Sequence, residues 1–81
     1  MGKIILEVRI MQRGLRYDVE VSEDITAHEL VRGLNAAYDL GIDVNDIGKC
    51  FVRVENPTVL LKGDKHLYEY GLHNGSIIVI P

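Results

Sequence analysis

The sequence predicts an α+β protein in which one helix packs across a mixed sheet of four or five strands, with residues 1–81 as a single domain. Three observations support this. Residues 3–10 and 15–21 alternate apolar and polar side chains, a complete helix-start signal stands at 26–29, and the chain closes on an apolar run at 76–80. A lone helix has one apolar stripe to bury, and covering one face of a sheet is a compact way to bury it.

The first two strands form a predicted hairpin. In residues 3–10 the apolar face consists of Ile4, Leu6, Val8 and Ile10. A polar connection containing Gly14 leads into residues 15–21, where the alternation resumes. The apolar positions there are Tyr17, Val19 and Val21, and the opposite positions are Arg16, Asp18 and Glu20. Charge on the outer face is typical of an edge strand that must discourage pairing with other chains.

A capping box predicts where the helix begins. The Thr26 hydroxyl can accept a hydrogen bond from the Glu29 N–H, while the Glu29 carboxylate reaches back to the Thr26 N–H. Ile25 and Leu30 stand at the positions of a hydrophobic staple. The apolar stripe that follows at spacings of three and four consists of Ala27, Leu30, Val31, Leu34, Ala37 and Tyr38.

Two glycines carry further predictions about this helix. Gly33 lies inside it, where glycine costs about 1 kcal/mol relative to alanine. We therefore expect the helix to pack closely against a strand at that point. Gly41 follows Leu40 and is well placed as the left-handed residue that ends the helix.

The second half of the chain predicts the rest of the sheet. A loop or short helical turn at 42–48 precedes strands at 49–55 and 59–61, and a helical turn or irregular segment lies at 67–72. The closing strand is expected in the centre of the sheet because it is apolar on both faces. Cys50 is predicted to be a small buried residue within a strand.

This order of elements, ββαββ and then a last strand, describes a β-grasp arrangement. Residues 67–80, LYEYGLHNGSIIVI, resemble the closing segment of ubiquitin-like domains, with a Leu, an acidic residue before a Tyr, an aliphatic residue, a small-residue turn and the final strand. The length, the Asn56-Pro57 turn and the ending on that strand resemble the YukD-like and EsaB-like proteins of type VII (Esx) secretion systems of Gram-positive bacteria. The resemblance covers essentially the whole chain in element order.

That resemblance implies a function that the residues alone do not show. It implies a non-enzymatic, cytosolic partner or regulator of a membrane-embedded machine that exports small helical proteins of the WXG kind. The alternative is a small carrier or modifier of the sulfur-carrier or ubiquitin type, which works through a C-terminal Gly-Gly tail. Ile80-Pro81 stands at the end instead, so we expect no conjugation unless the natural chain is longer.

Composition excludes several other classes. The chain has 9 Lys and Arg against 12 Asp and Glu, a net charge of −3, which disfavours a nucleic-acid footprint. An 81-residue domain has a thin core, which disfavours a deep enclosed active site. The charge at Glu7, after only three apolar residues, argues against a signal peptide or membrane span, so we expect a cytoplasmic protein. With Cys50 as the only cysteine, no internal disulfide is possible.

The residues predict no catalytic, cofactor or metal site. The three histidines, His28, His66 and His73, lack metal-ligand spacing and are expected to be solvated at the surface. Residues 43–54 begin like a calcium loop but end on Val54, where a bidentate Glu is required. No Gly-rich phosphate loop or nucleophile elbow is present, and no acidic or His neighbour is spaced along the sequence to activate Cys50.

The outer face of the sheet holds the candidate functional site. If the closing strand lies between the first and third strands, as the resemblance implies, Ile78 and Ile80 point at the helix while Ile77 and Val79 point away. The predicted apolar surface is Ile5, Phe51, Ile77 and Val79, bordered by Glu7, Arg9 and Arg53. We expect Ile5, Phe51, Arg53, Ile77 and Val79 to bind a protein partner, either a second copy or a secretion component.

Overall fold

Five strands form one mixed sheet with one α-helix across it in the computed structural model, which describes residues 2–81. The elements are β1 (Lys3–Ile10), β2 (Leu15–Ser22), α1 (Ala27–Tyr38), β3 (Val52–Glu55), β4 (Val59–Leu61) and β5 (Ile77–Ile80), with 3-10 turns at Met11–Arg13 and Leu67–Tyr70. The strand order is β2-β1-β5-β3-β4, and only β1 and β5 run parallel. The predicted β-grasp class and the central position of the closing strand are confirmed.

The hairpin of β1 and β2 follows the predicted alternation. Ile4, Leu6 and Val8 are buried on the helix side, and the register runs without interruption from Lys3 opposite Ser22 to Ile10 opposite Leu15. The connection is tighter than a plain loop, because Met11–Arg13 makes a 3-10 turn that Gly14 closes at φ 63°, a left-handed conformation that glycine adopts without a Cβ penalty. The sequence therefore determines this hairpin largely on its own.

The core lies between α1 and the inner face of the sheet. Its buried members include Leu6 and Val8 from β1, Val31 from α1, and Ile78 from the middle of the sheet. Each aliphatic side chain that folding removes from water contributes roughly 1.5–3 kcal/mol. This core covers one face of the sheet and leaves the outer face to the site described below.

The buried stripe of α1 is shorter than predicted. Leu34 is its last fully buried member, while Ala37 is exposed and the Ala37 prediction was wrong. The final turn packs through Tyr38 instead, whose ring stacks on Tyr17 of β2 with centroids 4.6 Å apart. Ala37 is turned about 100° away from Tyr38 around the helix axis, which places it towards solvent.

Both glycine predictions for α1 were wrong. Gly33 is exposed, and a Cβ built there meets no atom within 4 Å, so no strand approaches it. It lies about 200° around the helix from the buried Val31, on the solvent side. The helix ends at Tyr38, and Asp39, not Gly41, is the left-handed cap at φ 52°.

Strand β3 begins later than the alternation suggested, and β5 begins one residue later than the apolar run suggested. The N–H groups of Lys49 and Cys50 both donate to the carbonyl of Asp46, which keeps them in a turn. Cys50 is buried as expected, at 1% exposure, but it precedes β3. The pattern continues into these turns because burial alternates there too, whereas the ladder starts only where a partner strand is in reach.

Candidate functional site

Strand order and register place the predicted site residues on the outer face. In one row across the sheet, Val79 of β5 stands between Arg9 of β1 and Arg53 of β3. In the next row, Ile77 stands between Glu7 and Glu55. Successive side chains of a strand point to opposite faces, so the buried Ile78 and Ile80 point towards α1 and the outward pair is as predicted.

Val79 is not part of an exposed surface, which corrects the prediction for this residue. Its exposed fraction is 6%, although its side chain lies on the outer face. The long side chains of Arg9 and Arg53 flank it in the same row, and arginine stems cover apolar neighbours while their charged heads stay in water. Val79 therefore forms a floor rather than a contact surface.

The predicted patch also separates into two parts. Ile5 is 49% exposed and lies beside the loop before β5, where the Asn74 side chain accepts its N–H at 2.8 Å. Phe51 is 41% exposed and lies beyond the row of Val79. By strand rise, its row is about 20 Å along the sheet from the row of Ile5. Ile77 lies half-buried between them, flanked by carboxylates. Phe51, Arg53 and Val79 come together, and Ile5 does not join them.

A groove with a volume of about 360 Å³ lies at the Phe51 end of the predicted patch. We call it the outer groove; its lining consists of Leu40, Ile42, Phe51, Val52, Arg53, Leu60, Val79, Ile80 and Pro81. Leu60 stands directly opposite Arg53 in the register of β3 and β4 and is 47% exposed. The apolar Leu60 between Val59 and Leu61 was the signal in the sequence, because alternation puts the middle residue of this short strand on the outer face.

The loop after the helix supplies a second part of the groove that sequence reasoning missed. Leu40 and Ile42 pack against the core and also line the outer groove. The Asn35 side chain accepts the N–H of Ile42 at 2.8 Å and so holds this loop against the helix. No local pattern in residues 40–42 indicated this role, because it depends on where the helix ends relative to β3.

Charges beside the groove are arranged in two rows of opposite sign. Arg9 donates to Glu7, and the Arg53 guanidinium lies 3.9 Å from the Glu55 carboxylate. Arg16 of β2 lies 4.0 Å from the other oxygen of Glu7. Ion pairs at this degree of exposure are worth about 0–1 kcal/mol each, so a partner can exchange them for its own charges at little cost.

A histidine lies beside the single cysteine, contrary to the expectation drawn from sequence spacing. The Sγ atom of Cys50 is 3.4 Å from Nδ1 of His28, which α1 brings over the start of β3. Burial raises the pKa of the Cys50 thiol, an effect larger than the opposing one of the nearby Arg32. Burial thus favours the neutral thiol, and the reactive thiolate is disfavoured.

The other histidines are partly engaged by the fold. His66 is half-buried, contacts the carbonyl of Asp24 through Nδ1 and stacks on Tyr68 with centroids 5.3 Å apart, so it is not simply solvated. His73 is exposed, as predicted. Within residues 2–81, no group of three or more His, Cys, Asp and Glu side chains is placed to hold a metal ion. Over the same residues, no helix is long and apolar enough to cross a membrane.

The sheet order and the single helix define a ubiquitin-like protein, and solved structures agree. The ubiquitin-like domain of Plasmodium falciparum Dsk2 aligns with a TM-score of 0.68 at 22% identity, covering 99% of this chain and 100% of that one. Ubiquitin of Caldiarchaeum subterraneum aligns with a TM-score of 0.67 at 14% identity over 99% and 95% of the two chains. The C-terminal ubiquitin-like domain of mouse tubulin-specific chaperone e aligns with a TM-score of 0.69 at 12% identity over 98% and 87%. At these identities the likeness shows the fold.

The family is given by a match to residues 5–80. These residues match the family described as the WXG100 protein secretion system (Wss), protein YukD, and the chain belongs to this family. No curated protein matches the chain. The family places the protein in the context of a secretion system, as implied by the resemblance in length, in the Asn56-Pro57 turn and in the ending on the final strand.

Proposed function

We propose that this YukD-family protein is a non-enzymatic, cytoplasmic accessory or regulatory component of a bacterial type VII (WXG/Esx) secretion system. It acts by binding a protein of that machine through the outer face of its sheet, and not by conjugation. The observation that carries the proposal is the outer groove, since Phe51 and Leu60 leave 41% and 47% of their surfaces exposed above the floor of Val79.

The groove has the layout of a small protein-binding site. Apolar walls surround its floor, and Arg53 lies at its border with 58% of its side chain exposed. Such a site fits a partner segment that inserts one or two apolar side chains and places a carboxylate beside them for the guanidinium. The Cys50 thiol is an unsuitable nucleophile because burial raises its pKa. These features favour binding over catalysis.

The test is a double substitution, Phe51→Asp with Leu60→Asp, in the organism that carries the secretion system. Val79 is left unchanged because it is 6% exposed, and a carboxylate there would damage the fold. The matched control is Ile47→Asp, which alters a side chain that is 80% exposed and absent from the groove lining. Site-specific crosslinking from position 53 identifies the secretion component that binds.

We expect the double variant to lose at least tenfold of the crosslinked secretion component and to reduce export of WXG-type proteins, while the control retains both. Thermal unfolding must show that each variant is folded. If a folded double variant crosslinks and exports like the unchanged protein, the outer groove is not the binding site. If crosslinking is lost but export continues, the role in secretion is wrong.

A further inference from the structure

The free edge of β2 presents backbone groups whose direction can be derived from hydrogen bonds elsewhere in the sheet. The Glu7 N–H donates to the Ser76 carbonyl at 3.0 Å, and the Gly75 N–H donates to the Ile5 carbonyl at 3.0 Å. The odd-numbered residues of β1 therefore direct their backbone groups towards β5. Since these groups alternate in direction along a strand, the even-numbered residues of β1 direct theirs towards β2.

This alternation decides which groups of β2 are left at the edge. Residues directly opposite in an antiparallel ladder exchange both hydrogen bonds or neither. Val8 is opposite Tyr17, so Tyr17 bonds to β1, and its neighbours Arg16 and Asp18 direct their N–H and C=O groups outwards. Glu20 does the same by the same alternation. In the sheet formed by residues 2–81, no strand lies beyond β2.

The side chains along this edge are also incompletely covered. Leu15 and Tyr17 are 42% and 37% exposed on the helix side of β2, where they continue the apolar inner face. On the outer side, Arg16 stands opposite Arg9, and Asp18 stands opposite Glu7. Like charges directly opposite each other destabilise a sheet. Directly opposite positions of β1 and β2 thus carry like charges, although Arg16 also lies diagonally 4.0 Å from the Glu7 carboxylate.

The same order of charges is complementary to a second copy of β2 in one antiparallel register. Five registers bring the outward-directed groups of Arg16, Asp18 and Glu20 opposite each other, with the two-fold axis at one of residues 16–20. An axis at Arg16 or Glu20 sets that charged residue against itself. An axis at Asp18 sets Asp18 against itself, although it also sets Arg16 of each copy against Glu20 of the other. An axis at Val19 sets Asp18 against Glu20. An axis at Tyr17 sets Arg16 of each copy against Asp18 of the other. Only the register with its axis at Tyr17 pairs opposite charges without setting like charges against each other.

We propose that β2 pairs with β2 of a second copy, antiparallel and with Tyr17 on the two-fold axis, so that two sheets join into one. On the helix side this register also sets Leu15 opposite Val19 of the other copy. The interface is isologous and small, and interfaces of this size bind weakly. Self-association is therefore expected at protein concentrations of roughly 100 μM and above. The proposal is independent of the outer groove, which lies at the opposite end of the strand order.

A charge exchange tests both the edge and the register. Arg16→Asp and Asp18→Arg, made singly, each create like-charge pairs across the two-fold axis and should weaken self-association at least tenfold. The double variant restores opposite pairs, and so does an equimolar mixture of the two single variants. Asp64→Arg is the control, because it changes an exposed residue by the same charge away from the edge. Sedimentation equilibrium up to about 1 mM protein gives the oligomeric state.

The expected pattern is loss in each single variant, recovery in the double variant and in the mixture, and no change in the control. The double variant should also unfold at a higher temperature, because the exchange sets a carboxylate opposite Arg9 and a guanidinium opposite Glu7. If a single variant is unfolded, Asp18→Asn replaces it and should weaken association without creating a repulsion. A protein that stays monomeric at about 1 mM overturns the proposal. So does a dimer that the single variants leave unchanged, one that the double variant fails to restore, or one abolished instead by the double substitution in the outer groove.

Discussion

The two ends of helix α1 are held by different means. At its start, the Thr26 hydroxyl accepts the Glu29 N–H at 3.1 Å and the Glu29 carboxylate accepts the Thr26 N–H at 3.0 Å. At its end, the Arg13 guanidinium, contributed by the turn between β1 and β2, donates to the carbonyls of Tyr38 and of Asp39, the latter at 2.7 Å. The side-chain cap at the start joins residues three apart in sequence, whereas the side chain that caps the end comes from a different element.

The difference shows how a helix end without a local stop signal is stabilised. Asp39 adopts a left-handed conformation that favours glycine, and it places an acid at the negative end of the helix dipole. Arg13 supplies a cation and donors at that point, and Tyr17 packs against Tyr38 beside it. The end of α1 is therefore tied to the hairpin. Its start combines the local capping box with hydrogen bonds from the Ala27 and His28 N–H groups to the carbonyls of Lys65 and Gly63.

The largest effect is expected when the hydrogen bonds from Arg13 to the C-terminal end of α1 are removed. Arg13→Ala removes both hydrogen bonds to the terminal carbonyls and should lower the free energy of unfolding by about 1–2 kcal/mol. Denaturant unfolding measures the change. Arg13→Lys keeps the charge without the two-pronged donor and should lose less. An Arg13→Ala midpoint equal to that of the unchanged protein would show that these hydrogen bonds add nothing.

Breaking the capping box at the start of α1 should lower the stability of the protein somewhat less. Thr26→Ala removes the acceptor for the Glu29 N–H and should lower the free energy of unfolding by about 1 kcal/mol. Thr26→Ser keeps the hydroxyl and serves as the control, with a loss that should be clearly smaller. An unchanged melting temperature for Thr26→Ala would contradict the assigned role of the cap.

A residue better suited than Asp39 to the C-terminal cap of α1 should stabilise the protein. Asp39→Gly removes both the side chain that disfavours the left-handed conformation and the acid at the helix end, and we expect a gain of about 0.5–1 kcal/mol. Asp39→Asn removes only the charge, so a smaller gain is expected from it. The thermal midpoint measures both, and a lower midpoint for Asp39→Gly would mean that the Asp39 side chain stabilises the helix end.

The smallest effect is a pH dependence of stability that arises from Glu29 in the capping box. Hydrogen bonds from the backbone and side chain of Thr26 lower the pKa of Glu29 below its ordinary value of 4.5. A lowered pKa in the folded state gives stability that is present above pH 4.5 and is lost as the pH falls through the folded-state pKa. Compared with Glu29→Gln, the unchanged protein should lose more thermal stability between about pH 6 and pH 3. Parallel pH profiles for the two proteins would contradict this linkage.

Much of the fold was predictable because its signals are local. The alternation in residues 3–10, the capping box at Thr26 and the apolar closing strand each act over a few residues, and each is present as predicted. The predictions for Gly33 and Gly41 were wrong because a glycine allows unusual conformations and close packing but does not require them. At Gly33 no strand comes near, and Gly41 follows a helix that Asp39 has already ended.

The candidate site was predicted only in part, for a related reason. Alternation assigned Phe51, Arg53 and Val79 to the outer face. It could not show that Val79, between Arg9 and Arg53, is only 6% exposed, or that Leu60 lies beside Arg53 at the same groove. Exposure on a sheet depends on the neighbours that register supplies, and register is a property of paired strands. The contact of Cys50 with His28 was missed on the same grounds, since it joins residues 22 positions apart.

The sequence by itself determined the hairpin, the capping box at the start of the helix and the β-grasp order of elements, because local hydrogen bonds and side-chain periodicity act within each segment. The family followed from the resemblance of the sequence to known proteins and from the match over residues 5–80. Only the tertiary structure decided the end of the helix at Tyr38, the covering of Val79 and the lining of the outer groove. Each of these depends on groups brought together from distant segments. Their positions follow from the packing of the helix against the sheet and from the register between strands.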